Sequence, residues 1–167
     1  VEMARRIGDP ELTLTACLNA AIAVWRGGTA SWRLQLTTEA VALARELGDG
    51  INLTSSLTLQ AVAAGELGEI ALLDEAMTLA RAEADRLRHV YAQLVLDSLE
   101  VSWASMRGRF DEVEKIIDHM QTIGEVVSIT GFAEALAGAL LMQLLWQGRD
   151  EELLVGMLAM VGHTFLP

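Results

Sequence analysis

The residues of this chain that could do chemistry are few: His89, His119 and His163, one cysteine at Cys17, one lysine at Lys115, and carboxylates at Glu69, Asp111-Glu112 and Asp150-Glu151-Glu152. The histidines stand 30 and 44 residues apart, with no second histidine four positions on and no neighbouring cysteine, so they lack the spacing of a metal site. Lys115 follows Glu114 rather than a glycine, which excludes a phosphate-binding P-loop. Gly48-Asp49-Gly50 lacks the third glycine and the preceding strand of a dinucleotide fingerprint. Cys17 falls within an apolar helical pattern with no general base at a readable spacing, and reads as a small core residue rather than a nucleophile. Asn52-Leu53-Thr54 matches a glycosylation acceptor and reads as chance. The carboxylates open successive predicted helices, where negative charge opposes the positive end of the helix dipole; they read as helix starts, not as a metal or catalytic cluster. No enzyme can be assembled from this set, and no cofactor is expected.

What positions these residues is a repeat. Gly28, Gly68, Gly108 and Gly148 are each 40 residues apart without a gap. A second punctuation point keeps the same step: Gly8-Asp9-Pro10 returns as Gly48-Asp49-Gly50, Arg88-His89-Val90 and Ser128-Ile129-Thr130, after the apolar ends Ile7, Leu47, Leu87 and Val127. A fixed period with two breaks is the signature of stacked helical hairpins. The spacing predicts helices over about residues 10–26, 30–47, 51–66, 69–87, 90–107, 110–123, 130–147 and 150–161, after the end of a preceding helix at 1–7. Asp9 suits an N-cap and Pro10 the first helical position. No Asn-Gly turn or sustained alternation marks a strand. The expected fold is all-α: a right-handed superhelical array of about four hairpins in one domain, 1–167, with repeats 8–47, 48–87, 88–127 and 128–167.

Composition narrows the setting. At 52% hydrophobic residues the chain can bury a substantial core, and a formal net charge of −11 opposes binding to phosphate backbones and anionic lipid. Direct nucleic-acid or membrane partners are therefore not expected. The most apolar run, Phe132 to Trp146, is shorter than the roughly 20 residues a membrane span requires. A single cysteine fits a reducing, cytoplasmic environment, and the scarcity of lysine beside arginine and alanine points to a GC-rich bacterial genome. A start at Val1 within a helix end suggests a piece of a larger protein.

The stretch GRFDEVEKII at Gly108 to Ile117, with MRG before it, and LGEIALLDEAMTLA at Leu67 to Ala80 resemble the turn and second helix of tetratricopeptide-type repeats. The period is 40 rather than 34, and Trp103 and Phe110 occur only in the third unit at their positions. Longer repeats punctuated by ELGD, as at Glu46 to Asp49, are similar to the helical-repeat region of large bacterial ATP-dependent transcriptional regulators of the LuxR and maltose-activator type. The resemblance implies a TPR-like solenoid and a non-catalytic protein-interaction or inducer-sensing module of a multidomain regulator, with a protein or peptide partner or a small-molecule inducer in its groove. A free-standing adaptor or scaffold is the alternative. Transferred by register, the resemblance assigns Thr15, Trp25, Arg26, Ser55, Thr58, Glu66, Ser98, Ser102, Ser105 and Trp146 to the groove. A ligand-binding stripe and a merely solvated face both remain open for the hydroxyl residues. The same register sends Asp97 and Glu100 toward helix-packing positions, which requires either arginine partners such as Arg88 and Arg107 or a different presented face.

The last helix reads EELLVGMLAMVG, with Leu154, Met157, Leu158 and Val161 among apolar residues on all sides and no polar face after Glu152. An end helix of a solenoid has a polar outer face, because only its inner side is covered. The expectation is that something covers it, either the next repeat or a second copy in a two-fold homodimer through the C-terminal helices; a helix tucked under Phe165 and Leu166 is the other reading.

Overall fold

Two breaks in every 40 residues require the backbone to reverse direction at each, and the left-handed conformation does this. The computed structural model describes residues 1–126 and 131–165. Among these, Gly8, Gly28, Gly48, Gly68, Gly108 and Gly148 have φ between 67° and 81°, where a Cβ is penalised. Past four of them the next amide reaches back five residues to close the helix: Asp49 to Ala44 O at 2.9 Å, Glu69 to Ala64 O at 2.9 Å, Arg109 to Ala104 O at 2.9 Å and Arg149 to Leu144 O at 3.0 Å. Arg88 holds the same place at φ 50° without glycine's freedom, and His89 N donates to Ala84 O at 2.9 Å.

The helices that result are α1 (Glu2–Ile7), α2 (Pro10–Ala23), α3 (Ala30–Leu47), α4 (Gly50–Leu67), α5 (Ile70–Leu87), α6 (Val90–Met106), α7 (Phe110–Val126), α8 (Phe132–Trp146) and α9 (Asp150–Phe165). No strand occurs among the described residues. Each helix packs chiefly on its neighbours in sequence, so the chain is an all-α helical-repeat array.

Helix starts repeat as the ends do. The Asp9 carboxylate accepts from the amides of Glu11 (2.9 Å) and Leu12 (3.1 Å), and Asp49 accepts from Asn52 N at 3.0 Å. His89 occupies the third such position, and its Nδ1 accepts from Ala92 N at 3.1 Å. His89 is thus a helix cap.

The chain divides into two compact units, Val1–Gln93 and Leu94–Pro167. In the first, Leu14, Cys17, Leu18 and Ala21 of α2 meet Leu36, Ala40 and Ala44 of α3. In the second, Leu94, Val101 and Ala104 of α6 meet Val113, Ile117 and Met120 of α7, with Ala139 of α8. Small residues at the repeated crossings, Ala40 and Ala80, let paired helices approach closely, and each large side chain fully buried between them contributes about 1.5–3 kcal/mol.

Four element ends differ from the sequence expectation by more than one residue. α2 stops at Ala23, so Trp25 and Arg26 lie in a loop and not on a helix face. The cause is Thr29, whose hydroxyl lies 2.7 Å from the carbonyl oxygens of both Val24 and Arg26 and accepts from Arg26 N at 3.3 Å, offering the backbone a local alternative to another helical turn. α7 runs on to Val126 and α9 to Phe165, because no left-handed residue interrupts either at the expected end. α8 begins at Phe132, after Gly131 at φ 82°; the expected start at Thr130 lies outside the described residues.

Replacing Gly108 by valine should cost about 1–3 kcal/mol, since a β-branched residue is strained at φ 71°. Arg88→Gly should do the reverse and raise the melting temperature, by about 1 kcal/mol of relieved strain. Calorimetry on the two variants checks both signs.

Candidate functional site

The sequence-predicted groove residues fall in both units. In the first unit Thr15, Ser55, Trp25 and Arg26 are exposed and Thr58 is half-buried; in the second Ser98 and Ser102 are half-buried and Trp146 is exposed. Ser105 does not line an open groove: it is only 2% exposed, unlike its register counterparts Trp25 and Leu145. Four of the hydroxyls are also committed. Ser55 donates to Ile51 O (3.2 Å), Thr58 to Thr54 O (2.8 Å), Ser98 to Leu94 O (3.0 Å) and Ser102 to Ser98 O (3.0 Å). In these four the hydroxyl proton is spent on the carbonyl one turn back, which leaves acceptor lone pairs.

Trp25 and Glu66 are brought together by a residue that the sequence reading passed over. Arg33 of α3 is 2% exposed; its guanidinium lies 5.0 Å from the centroid of the Trp25 ring, Nε donates to Thr29 Oγ1 at 3.4 Å, and Nη2 forms an ion pair with Glu66 of α4. The signal was present in the 40-residue register. The positions equivalent to Arg33 are Leu73, Val113 and Leu153, so an arginine stands where the repeat places an apolar core residue. A buried guanidinium is tolerable only with its charge matched, and Glu66 matches it from a more solvated position. Asp97 is a second departure of this kind, buried where the register has Cys17 and Leu57.

Cys17 is fully buried in α2, near the ion pair of Arg5 and Glu39. Burial first, and then the Glu39 carboxylate, push its thiol up to about 11, which keeps it protonated and poorly nucleophilic at neutral pH. Glu39 is held below the usual carboxylate range by its hydrogen bonds with Arg5, whose Nε donates at 3.0 Å.

A cleft in the first unit is lined by residues other than the hydroxyl stripe. About 270 Å³ in volume, it opens between α3 and α5 over α4, lined by Thr38, Val41, Ala42 and Arg45 of α3, Leu57 and Gln60 of α4, and Leu72, Glu75, Ala76 and Leu79 of α5. Its floor is polar at one point, where Gln60 Nε2 donates to Thr38 Oγ1 at 3.0 Å. Arg45 and Glu75 carry opposite charges at its exposed edge, and apolar walls separate them from that floor. A broader hollow of about 610 Å³ beside it shares Thr38 and Ala42 but is open and lacks the second wall. The narrower cleft, walled by helices on two sides, is therefore the candidate site. Register transfer missed it because it looked only to the first helix of each hairpin. Among the described residues no group of three or more His, Cys, Asp or Glu side chains is placed to hold a metal, and no helix is long and apolar enough to cross a membrane.

No family model, curated protein or solved structure matches this chain.

Two tests address the buried groups. Glu66→Gln strands the Arg33 charge and should cost about 1–3 kcal/mol, the lower part of the range for a broken buried pair because Glu66 is partly solvated. Arg33→Leu with Glu66→Met installs the residues found at Leu73 and Met106, and should restore most of that loss; chemical denaturation of both variants compares them. For Cys17, the folded thiol titrates above its ordinary value of about 8.5, so the stability that its burial confers is full below that pH and is lost as pH rises toward about 11. Reaction with Ellman's reagent at pH 8 should accordingly be at least about tenfold slower in the native chain than in denaturant.

Proposed function

We propose that this chain is a non-catalytic helical-repeat module that holds a peptide segment or a small-molecule inducer in the α3–α5 cleft. The carrying observation is the make-up of that cleft: three helices from two successive repeats supply an apolar wall, an amide–hydroxyl floor and one charge of each sign at the edge. Pockets of this kind bury an apolar body and orient it through a few fixed polar groups. Because its walls belong to different repeats, an occupant that draws α3 and α5 together alters the packing of neighbouring hairpins, which is what a sensing module must transmit.

The repeat spacing and the ELGD punctuation support placing such a module in a multidomain bacterial transcriptional regulator, acting in the cytoplasm. The alternative of a free-standing adaptor uses the same cleft and differs in its occupant, a peptide rather than an inducer.

Amide chemical-shift mapping with a panel of dipeptides and of mono- and disaccharides tests the reading. Saturable shifts are expected at Thr38, Gln60 and Ala76 with at least one class, and Ala42→Trp, which fills the cleft from an exposed position, should weaken binding by about tenfold or more. Saturable shifts confined to other residues, none with any probe, or equal affinity in the variant would refute it.

A further inference from the structure

The seam between α3 and α5 has a counterpart one repeat earlier, between α1 and α3, and the two differ where charges meet. In the earlier seam Arg5 of α1 reaches Glu39 of α3 and engages both carboxylate oxygens, Nε donating at 3.0 Å. Forty residues on, Arg5 becomes Arg45 and Glu39 becomes Leu79, and both line the cleft. The arginine is kept while its carboxylate is gone. Among the described residues the exposed side chain of Arg45 makes no hydrogen bond or ion pair.

Two other positions change in the opposite sense. Gln35 becomes Glu75 and Ala20 becomes Gln60, so this seam gains a carboxylate and an amide. Glu75 too makes no side-chain hydrogen bond or ion pair among the described residues, and in particular does not close on Arg45. Gln60 Nε2 donates to Thr38, which leaves its Oε1 as an acceptor at the cleft. An unmatched cation, an unmatched anion and an amide acceptor in one cleft complement a molecule with a carboxylate, an ammonium group and an N–H between them.

Size and lining fix the body that carries these groups. An apolar cavity of about 150 Å³ takes a benzene, so about 270 Å³ takes roughly eleven non-hydrogen atoms. The apolar walls, Val41, Leu57, Leu72 and Leu79, are aliphatic. A free amino acid holds its two charges on one carbon and has no N–H between them. Two joined residues span about 7 Å, supply that N–H as their peptide group, and fill the volume when their side chains are small. A neutral sugar carries neither charge.

We propose that the cleft takes a free dipeptide of small aliphatic residues, its carboxylate on Arg45 where Glu39 sits on Arg5, its ammonium group on Glu75 and its peptide N–H on Gln60 Oε1. This rests on the α3–α5 cleft being the ligand site; both termini, not an internal stretch of chain, are what it selects.

Calorimetric titration of the chain with alanyl-valine should give saturable binding, and its N-acetyl and C-terminal amide forms should each bind at least about tenfold more weakly. Leu79→Glu restores the carboxylate of Glu39 at a position 37% exposed; it should keep or raise the melting temperature, pair with Arg45 and weaken dipeptide binding by about tenfold or more. Glu75→Gln, which carries the residue of Gln35, should weaken the free dipeptide by a similar factor and leave the N-acetyl form unchanged. Equal binding of the capped forms, undiminished affinity in Leu79→Glu, or valine bound as tightly as the dipeptide would each overturn the proposal. So would a saccharide that shifts the Thr38, Gln60 and Ala76 amides where the dipeptide does not, and that result would leave the cleft as the ligand site; no shift there with any probe would remove both.

Discussion

The helices from α3 on depend on reversing the backbone in the left-handed conformation at Gly48, Gly68, Arg88, Gly108 and Gly148, with the next amide returned to the carbonyl five residues back. That closure does two things at once. It satisfies carbonyls that a helix end would otherwise leave unpaired, and it fixes where the next helix starts, so helices of 17 or 18 residues recur from α3 to α7. Equal lengths keep Ala40, Ala80 and Met120 at corresponding depths in successive hairpins, all of them buried. The repeat is consequently a property of the turns first and of the packed stripes second. A degenerate stripe can be accommodated by a neighbour, whereas at the described breaks 8, 28, 48, 68, 88, 108 and 148 the turn always carries a left-handed residue. Arg88 shows the limit, since it adopts the conformation without being suited to it.

Given such a frame, the informative residues are those that break it, and the side on which they break it decides what they need. A charge at an inward position must be matched within the structure. Arg33 stands where Leu73 and Val113 are buried, and it is held by Glu66, the Trp25 ring and Thr29 together. The cost of that matching is visible locally: the loop that supplies Trp25 and Thr29 shortens α2 relative to α4 and α6. Leu154, Val155 and Leu158 are exposed on α9 and so leave no mark on the packing around them.

The number of helices, their order and most of their ends were legible in the sequence, because glycine at a fixed spacing has one physical use here and aspartate after it has another. His89 was legible in place but not in role: only its position in line with Asp9 and Asp49 shows that an imidazole nitrogen serves as a cap. Trp25 and Arg26 were misplaced because the double glycine after them looked like the end of the helix, while a threonine hydroxyl had already ended it. The hydroxyl stripe was legible as residues and illegible as chemistry, since a serine in a helix can face a ligand or return its proton to the preceding turn, and Ser55, Ser98 and Ser102 do the latter. The cleft could not be read at all, because its walls are separated by a whole helix in sequence and its volume depends on how far apart two packed helices stand.

That last point bears on why the cleft sits where it does. α3 and α5 both pack on α4, and the space between them is set by the side chains each presents to the other. Ala42 and Ala76 are too small to close it, and Thr38 is drawn to Gln60. Filling the gap with leucines would bury more apolar surface, and nothing in the turn geometry forbids it. Small residues and one buried amide at this junction therefore sacrifice packing that the repeat could have had, and the same junction is where two hairpins must move if the array is to flex. The width of a cavity at the seam between repeats depends on the angle between them, whereas that of a cavity within one hairpin would not.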